Sequence, residues 1–220
     1  VNQYLPFAFA GAAAAAVLVH MMSRRSADSG PARLVLAGVA LGASLSSITG
    51  TITMYNSKIF DSYRFWVVGS LENRKLEVLL WVAPFLAVGL VLALASAHSL
   101  NALALGDEQA TALGVNLAVV RGVAFVALTL LCGAATAAAG PISFIGLVIP
   151  HVVRLLVGAD QKHLLAWSVV AGAGLLLAAD VAGRLLIRPT ELEAGIVTAF
   201  IGAPVLLVLA VTNRTNRRSA

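Results

Sequence analysis

Apolar residues run in blocks of about twenty along this chain, and the charged residues fall between the blocks. A helix that crosses a bilayer needs roughly 20 apolar residues. On that measure the pattern predicts seven spans, at about 5–22, 34–55, 77–98, 119–139, 142–157, 163–187 and 194–211. The uncharged stretch from Gly122 to Val153 is about twice one crossing. Gly140-Pro141 divides it, because proline lacks an N–H and disfavours helix in the residue before it. The 142–157 span is short and contains Pro150, so a kinked or incomplete crossing is expected there. Pro204 implies a kink in the last span.

Two connections are too long to be simple turns. The one at about 56–76 mixes aromatic and charged residues, as a short helix lying at the membrane surface would. The one at about 99–118 has Leu100, Leu103, Leu105, Ala110 and Leu113 at roughly helical spacing, interrupted by Gly106. Asp107 is placed to cap a short helix beginning there. This second connection carries no Lys or Arg, so attraction to anionic lipid is not its purpose, and docking into a groove on a protein partner is favoured.

Composition supports the membrane reading. Hydrophobic residues make up 60% and charged residues 11% of the 220 positions, against about 45–50% and about 25% in soluble domains. Too few charges remain to coat a water-soluble globule, which excludes an ordinary soluble enzyme, a disordered protein and a nucleic-acid-binding domain. Long continuous apolar runs argue against a membrane β-barrel, whose strands alternate. The expected fold class is all-α, a polytopic helical membrane protein. No basic segment precedes the first apolar block, so that block is not a signal peptide. Beginning at Val1, the chain is expected to be a piece of a longer membrane protein or a mature form.

The basic residues give an orientation. One side receives Arg24, Arg25, Arg33, Arg121, Arg154, Lys162, Arg214, Arg217 and Arg218; the other receives Lys58, Arg64, Arg74, Lys75, Arg184 and Arg188. The richer side is read as cytoplasmic, which puts the 99–118 loop inside the cell. Trp66 and Trp81 then lie near the outer interface and Trp167 near the inner one.

Candidate chemistry is sparse. The histidines lack zinc-motif spacing, and no nucleophile elbow or phosphate-binding glycine loop occurs. Cys132, the single cysteine, is read as a packing residue. Asp180 and Arg184 lie four residues apart within one span and share a helix face, as an intramembrane ion pair. Other readings of this pair are an outward-reaching Arg184 that receives an acidic partner, or a proton relay through Asp180. His151, after Pro150, is read as a satisfied structural histidine, with an intramembrane enzyme as the remote alternative. Thr190 and Glu193 form a capping-box pattern. Gly38 to Gly42 forms Gly-x-x-x-Gly, a helix-contact motif.

Several stretches, in order, resemble one family. LNALALGDEQATALGV, GPISFIGLVIPHVVRLLVG at 140–158, AADVAGRLL at 178–186, ELEAGIVTAFIGAPVLLVL at 191–209 and RLVLAGVAL at 33–41 resemble the permease subunits of ABC importers for iron-siderophores, haem and cobalamin. The resemblance runs over nearly the whole chain, and RFWVVGSL at 64–71 is most similar to the siderophore members. It implies a cytoplasmic-membrane permease of ten helices, of which these seven spans match the last seven, so that 1–220 is one permease domain incomplete at its N-terminus. It implies no ATPase site in the chain, no cofactor, and three protein partners: an ATP-binding subunit, an outer substrate-binding protein, and a second permease copy, identical or not. Carried over, Leu105, Gly106, Asp107, Ala110, Leu113 and Gly114 couple to the ATPase subunit, and Arg184 docks the binding protein. The second span lines the passage with Gly38, Gly42, Ser46, Thr49 and Gly50, beside Ser44 and Ser47.

Overall fold

The structure, a computed structural model, describes residues 4–24, 31–71, 76–186 and 192–216. Thr190 of the expected capping box and the charges at Arg25, Arg74, Lys75, Arg188, Arg217 and Arg218 lie outside these residues. Among the described residues there are nine helices and no strand. They are α1 (Tyr4–Arg24), α2 (Pro31–Met54), α3 (Ser57–Val67), α4 (Leu76–Ala104), α5 (Asp107–Ala112), α6 (Leu117–Ala139), α7 (Ile145–Val157), α8 (Gln161–Leu186) and α9 (Ala194–Asn216). Stretches in α2, α4, α6 and α8 are long and apolar enough to cross a membrane, and α1, α7 and α9 contain shorter apolar stretches. These seven match the seven expected spans; α3 and α5 fall in the two long connections.

The α4–α6 pair is central. Small residues on α6 (Ala127, Gly133, Ala134, Ala137) are buried and let neighbouring helices approach closely. On α4, a Cβ at Gly89 would lie 2.9 Å from Leu131 Cγ of α6. α1 packs on α6 and α2, α8 packs on α4, α7 and α9, and α3 packs on α2. Spans alternate in direction, so one end of the bundle carries α3 and the other carries α5. Trp66 and Trp81 are at the α3 end and Trp167 is near the α5 end, the split expected of interfacial tryptophans.

The 142–157 crossing is incomplete, as Pro141 and Pro150 led us to expect. α7 has 13 residues, about 20 Å of helix against a hydrocarbon core of about 30 Å. Its first residue, Ile145, lies beside Gly172 in the middle of α8. Residues 140–144 descend to that point without helical structure. Phe144 turns the chain with φ +70, an unusual conformation for a residue with a side chain. Its side chain occupies the space that a Cβ at Gly202 of α9 would need.

At the α3 end, four elements meet backbone to backbone. Ser70 N–H donates to Ala139 O at 2.9 Å, Gly195 N–H to Gly69 O at 3.0 Å, and Leu192 N–H to Gly183 O at 3.3 Å. Glycine makes these approaches possible. Gly140 has φ +79 and a Cβ there would lie 2.5 Å from Trp66 O, and a Cβ at Gly195 would collide with Val68 O.

Two expectations change. α4 continues through 99–104, residues assigned to the loop, because extending the helix keeps their backbone groups paired. Gly38 and Gly42 do not face a neighbouring helix among the described residues, since a Cβ at either would meet nothing within 4 Å. The reason is that α2 sits at the margin of the bundle, against α1 and α3.

Gly140→Ala is expected to destabilise the bundle by about 1–3 kcal/mol, through both the positive φ and the contact with Trp66 O. Gly174→Ala, in a helix with open space at its Cβ, should be neutral or stabilising by up to about 1 kcal/mol. Reversible unfolding of the two variants in detergent checks the contrast.

Candidate functional site

The α4–α6 connection folds into a small rigid unit. Gly106 opens it with φ +111, and Gly114 closes it with φ +80. Both conformations favour glycine. Asp107 is not the cap expected of it. Gly106 occupies the N-cap position, and no side chain caps the helix. The Asp107 carboxylate is drawn instead to Arg121 on α6, whose Nη2 lies 2.7 Å from both carboxylate oxygens. Asp107 is the first residue of the helix rather than its cap, and its carboxylate pairs with a guanidinium instead, an interaction of two ionised groups. Thr111 Oγ1 donates to Asp107 O at 2.7 Å, Val115 N–H donates to Ala110 O, and Asn116 Oδ1 caps α6 by accepting from Val119 N–H at 3.2 Å.

The apolar stripe of this unit divides. Ala110 is fully buried, while Leu105 and Leu113 are 62% and 66% exposed. Of the six residues singled out, Gly106 and Gly114 shape the unit, Asp107 and Ala110 anchor it, and Leu105 and Leu113 face outward.

At the other end of the bundle, Arg184 Nε donates to Asp180 Oδ2 at 2.8 Å within α8. The pair is the one expected from the spacing. Asp180 is mostly buried, and Arg184 is about half exposed. On α2, Gly42 and Ser46 are exposed and Gly38, Thr49 and Gly50 partly so. Hydroxyls along this helix fold back on its own backbone. Ser44 donates to Ala40 O, Ser47 to Ala43 O, Thr49 to Leu45 O and Thr51 to Ser47 O, at 2.8–2.9 Å. His151 Nδ1 lies 2.8 Å from Leu147 O, one turn back on α7, and donates to it since a carbonyl only accepts. It is a locally satisfied histidine. Among the described residues, no group of three His, Cys, Asp or Glu side chains is arranged to hold a metal ion.

The model of the FecCD transport family matches residues 1–212. The chain belongs to the FecCD transport family. This FecCD chain is 45% identical over 210 residues to the ferric enterobactin transport system permease protein FepD of Escherichia coli (strain K12), covering 94% of this chain and 62% of that one. It is 40% identical to the Fe(3+)-citrate import system permease protein YfmD of Bacillus subtilis (strain 168), covering 94% and 62%. To the hemin transport system permease protein HmuU of Yersinia pestis it is 36% identical, covering 96% and 63%. The chain thus spans about three-fifths of the length of these relatives. Among solved structures, an ABC transporter assigned to the metal-chelate type, in an inward-facing conformation, superposes with a TM-score of 0.82 at 29% identity, over 93% of this chain and 72% of that one. The all-α, multi-pass membrane architecture of the FecCD chain accords with these likenesses.

Two groups of residues escaped the sequence reading. Arg121 was counted only as a loop charge, yet it fixes Asp107 from fourteen residues away. Asp160 precedes α8 as an N-cap should, its Oδ1 accepting from Lys162 N–H at 2.9 Å and its backbone carbonyl from Leu164 N–H. It also accepts from Asn101 Nδ2 at 2.9 Å and lies 3.0 Å from His163 Nδ1. Nothing in the spacing of Asn101 and Asp160 announces that contact.

The Asn101 amide, then the Lys162 N–H, then His163 stabilise the Asp160 carboxylate and hold it down to about 2, below its ordinary 3.8. A depressed carboxylate contributes its stabilisation above the unfolded pKa and loses it on protonation. The contribution of the Asn101–Asp160 contact to stability is therefore expected to be complete at pH 5 and to fall away between about 4 and 2, while in the folded protein the carboxylate itself is half protonated only near pH 2. The pH dependence of unfolding reads the first, and the Lys162 amide chemical shift, with an expected midpoint near 2, reads the second.

Proposed function

We propose that this FecCD chain is the membrane-embedded permease part of an ATP-driven importer of iron(III)-siderophore in the cytoplasmic membrane, with ATP hydrolysed on a separate subunit. The observation that carries the reading is the α5 unit. A six-residue helix is too short to be stable alone, yet here it is clamped to α6 and presents two exposed leucines. Leucines held out from a rigid frame suit a groove on a protein partner, and the ATP-binding subunit is the partner this reading assigns. The α5 end is then cytoplasmic, in line with the distribution of Lys and Arg.

Arg184, half exposed at the α3 end and held by Asp180, is suited to receive an acidic residue of an outer substrate-binding protein. α2, at the margin of the bundle, supplies the wall of a passage that a second permease copy completes. Gly38, Gly42, Ser46, Thr49 and Gly50 lie on that wall. The siderophore assignment is supported by the 45% identity to a permease named for ferric enterobactin; haem and cobalamin are the alternative cargoes. A proton-coupled carrier working through Asp180 is less well supported, because that carboxylate is already engaged by Arg184 at 2.8 Å on its own helix.

Leu105→Asp and Leu113→Asp, which leave the Asp107–Arg121 pair in place, are each expected to weaken association with the ATP-binding subunit at least tenfold, ~1.4 kcal/mol. Co-purification from membranes and ATP turnover of the reconstituted transporter measure this, and wild-type association in the double variant would dismiss the coupling role. Arg184→Glu should weaken capture of the binding protein about tenfold or more, an effect that shrinks as salt rises. Surface plasmon resonance at two ionic strengths reads it.

A further inference from the structure

We propose that Asn101 and Asp160 are positioning residues that join the end of α4, which leads directly into the α5 unit, to α8, so that a displacement of α5 is delivered to α7 and to the opposite end of the bundle. The proposal rests on α5 being the segment that meets the ATP-binding subunit. Asn101 lies in the last turn of α4, six residues before Asp107. Its side-chain amide engages the start of α8 at two points. Nδ2 donates to Asp160 Oδ1 at 2.9 Å, and Oδ1 accepts from Gln161 N–H at 2.8 Å. One hydrogen bond leaves a pivot; two from a planar amide fix orientation as well as distance.

Capping alone does not account for the contact. Asp160 Oδ1 caps α8 at Lys162 N–H from within its own segment, and Asn101 Oδ1 caps Gln161 N–H from α4, but the Nδ2 bond to Asp160 satisfies no helix N–H. What Asn101 adds is a tie between segments about sixty residues apart in the chain. α5 is thus fixed directly to α6 through Asp107–Arg121, and the end of α4 from which it continues is fixed to α8 through Asn101–Asp160. α8 is continuous for 26 residues, a rod of about 39 Å. Its near half packs along α7, with Gly172 beside Ile145. Its far end carries Arg184. A movement imposed on the first turn of this rod reaches both. Binding events at the two ends are then linked, and by reciprocity each alters the other's affinity.

The test uses the full transporter, permease with its ATP-binding subunit, in lipid nanodiscs. Hydrogen–deuterium exchange is followed in segments 105–116 and 145–157, with and without ATP plus vanadate. In the wild type, nucleotide is expected to change exchange in both segments. Asn101→Asp sets two carboxylates against each other, and should cut the response of 145–157 by about threefold or more while that of 105–116 persists. Adding Asp160→Asn restores a complementary amide–carboxylate pair and should restore the response. If Asn101→Asp hinders assembly, Asn101→Ser, which removes the two-point contact without adding charge, is read in the same way. An undiminished response of 145–157 in Asn101→Asp or Asn101→Ser overturns the proposal. No nucleotide response at 105–116 in the wild type overturns the α5 reading beneath it, a separate and recognisable failure.

Discussion

Inside a bilayer, every backbone N–H and C=O must find its partner within the protein. That constraint organises this molecule. It keeps the crossings helical, and it decides where the chain can leave helical geometry. The departure at 140–144 is covered by the α3–α4 connection and by α9, and its ends are tied by Gly140 N–H to Thr136 O and Ile145 N–H to Ser143 O. The glycines at 69, 140, 183 and 195 let carbonyls and amides of different elements come within bonding distance. Small side chains here allow polar pairing as much as close packing.

The same constraint explains what was legible in the sequence. Spans could be read because a helix satisfies itself, so twenty apolar residues between charges suffice to announce one. The break at Gly140-Pro141 and the shortness of α7 followed from proline chemistry. Asp180–Arg184 followed from the helical repeat. Partners chosen across space were not visible in this way. Asp107 has the residue type and position of a helix cap, and only the fold brings Arg121 to within 2.7 Å of it. Asn101 was assigned to a loop, because its value lies in reaching Asp160. The Gly38–Gly42 motif was legible as a pattern but not as a contact, since α2 sits at an edge of this chain.

The two ends of the bundle differ in how they are held. At the α3 end, elements are joined by backbone bonds through glycine, which side-chain substitution cannot easily reproduce. At the α5 end, the joints are side-chain pairs, Asp107 with Arg121 and Asn101 with Asp160, exposed to solvent. Side-chain joints of this kind keep their own geometry while the helices that carry them shift, so this end can move as jointed units. A fixed end and an adjustable end suit a bundle that must change shape at one face while remaining assembled.

The hydroxyls of α2 have a consequence for the passage proposed beside them. Ser44, Ser47, Thr49 and Thr51 each direct their single proton into a carbonyl of their own helix. What such a surface still offers outward is lone pairs. A metal chelate whose periphery is mostly oxygen presents lone pairs as well, and two acceptor-lined surfaces do not adhere. On the proposed reading of α2 as a wall, these committed hydroxyls keep it wet while meeting such a cargo with acceptors rather than donors, so it acts as a lubricated surface.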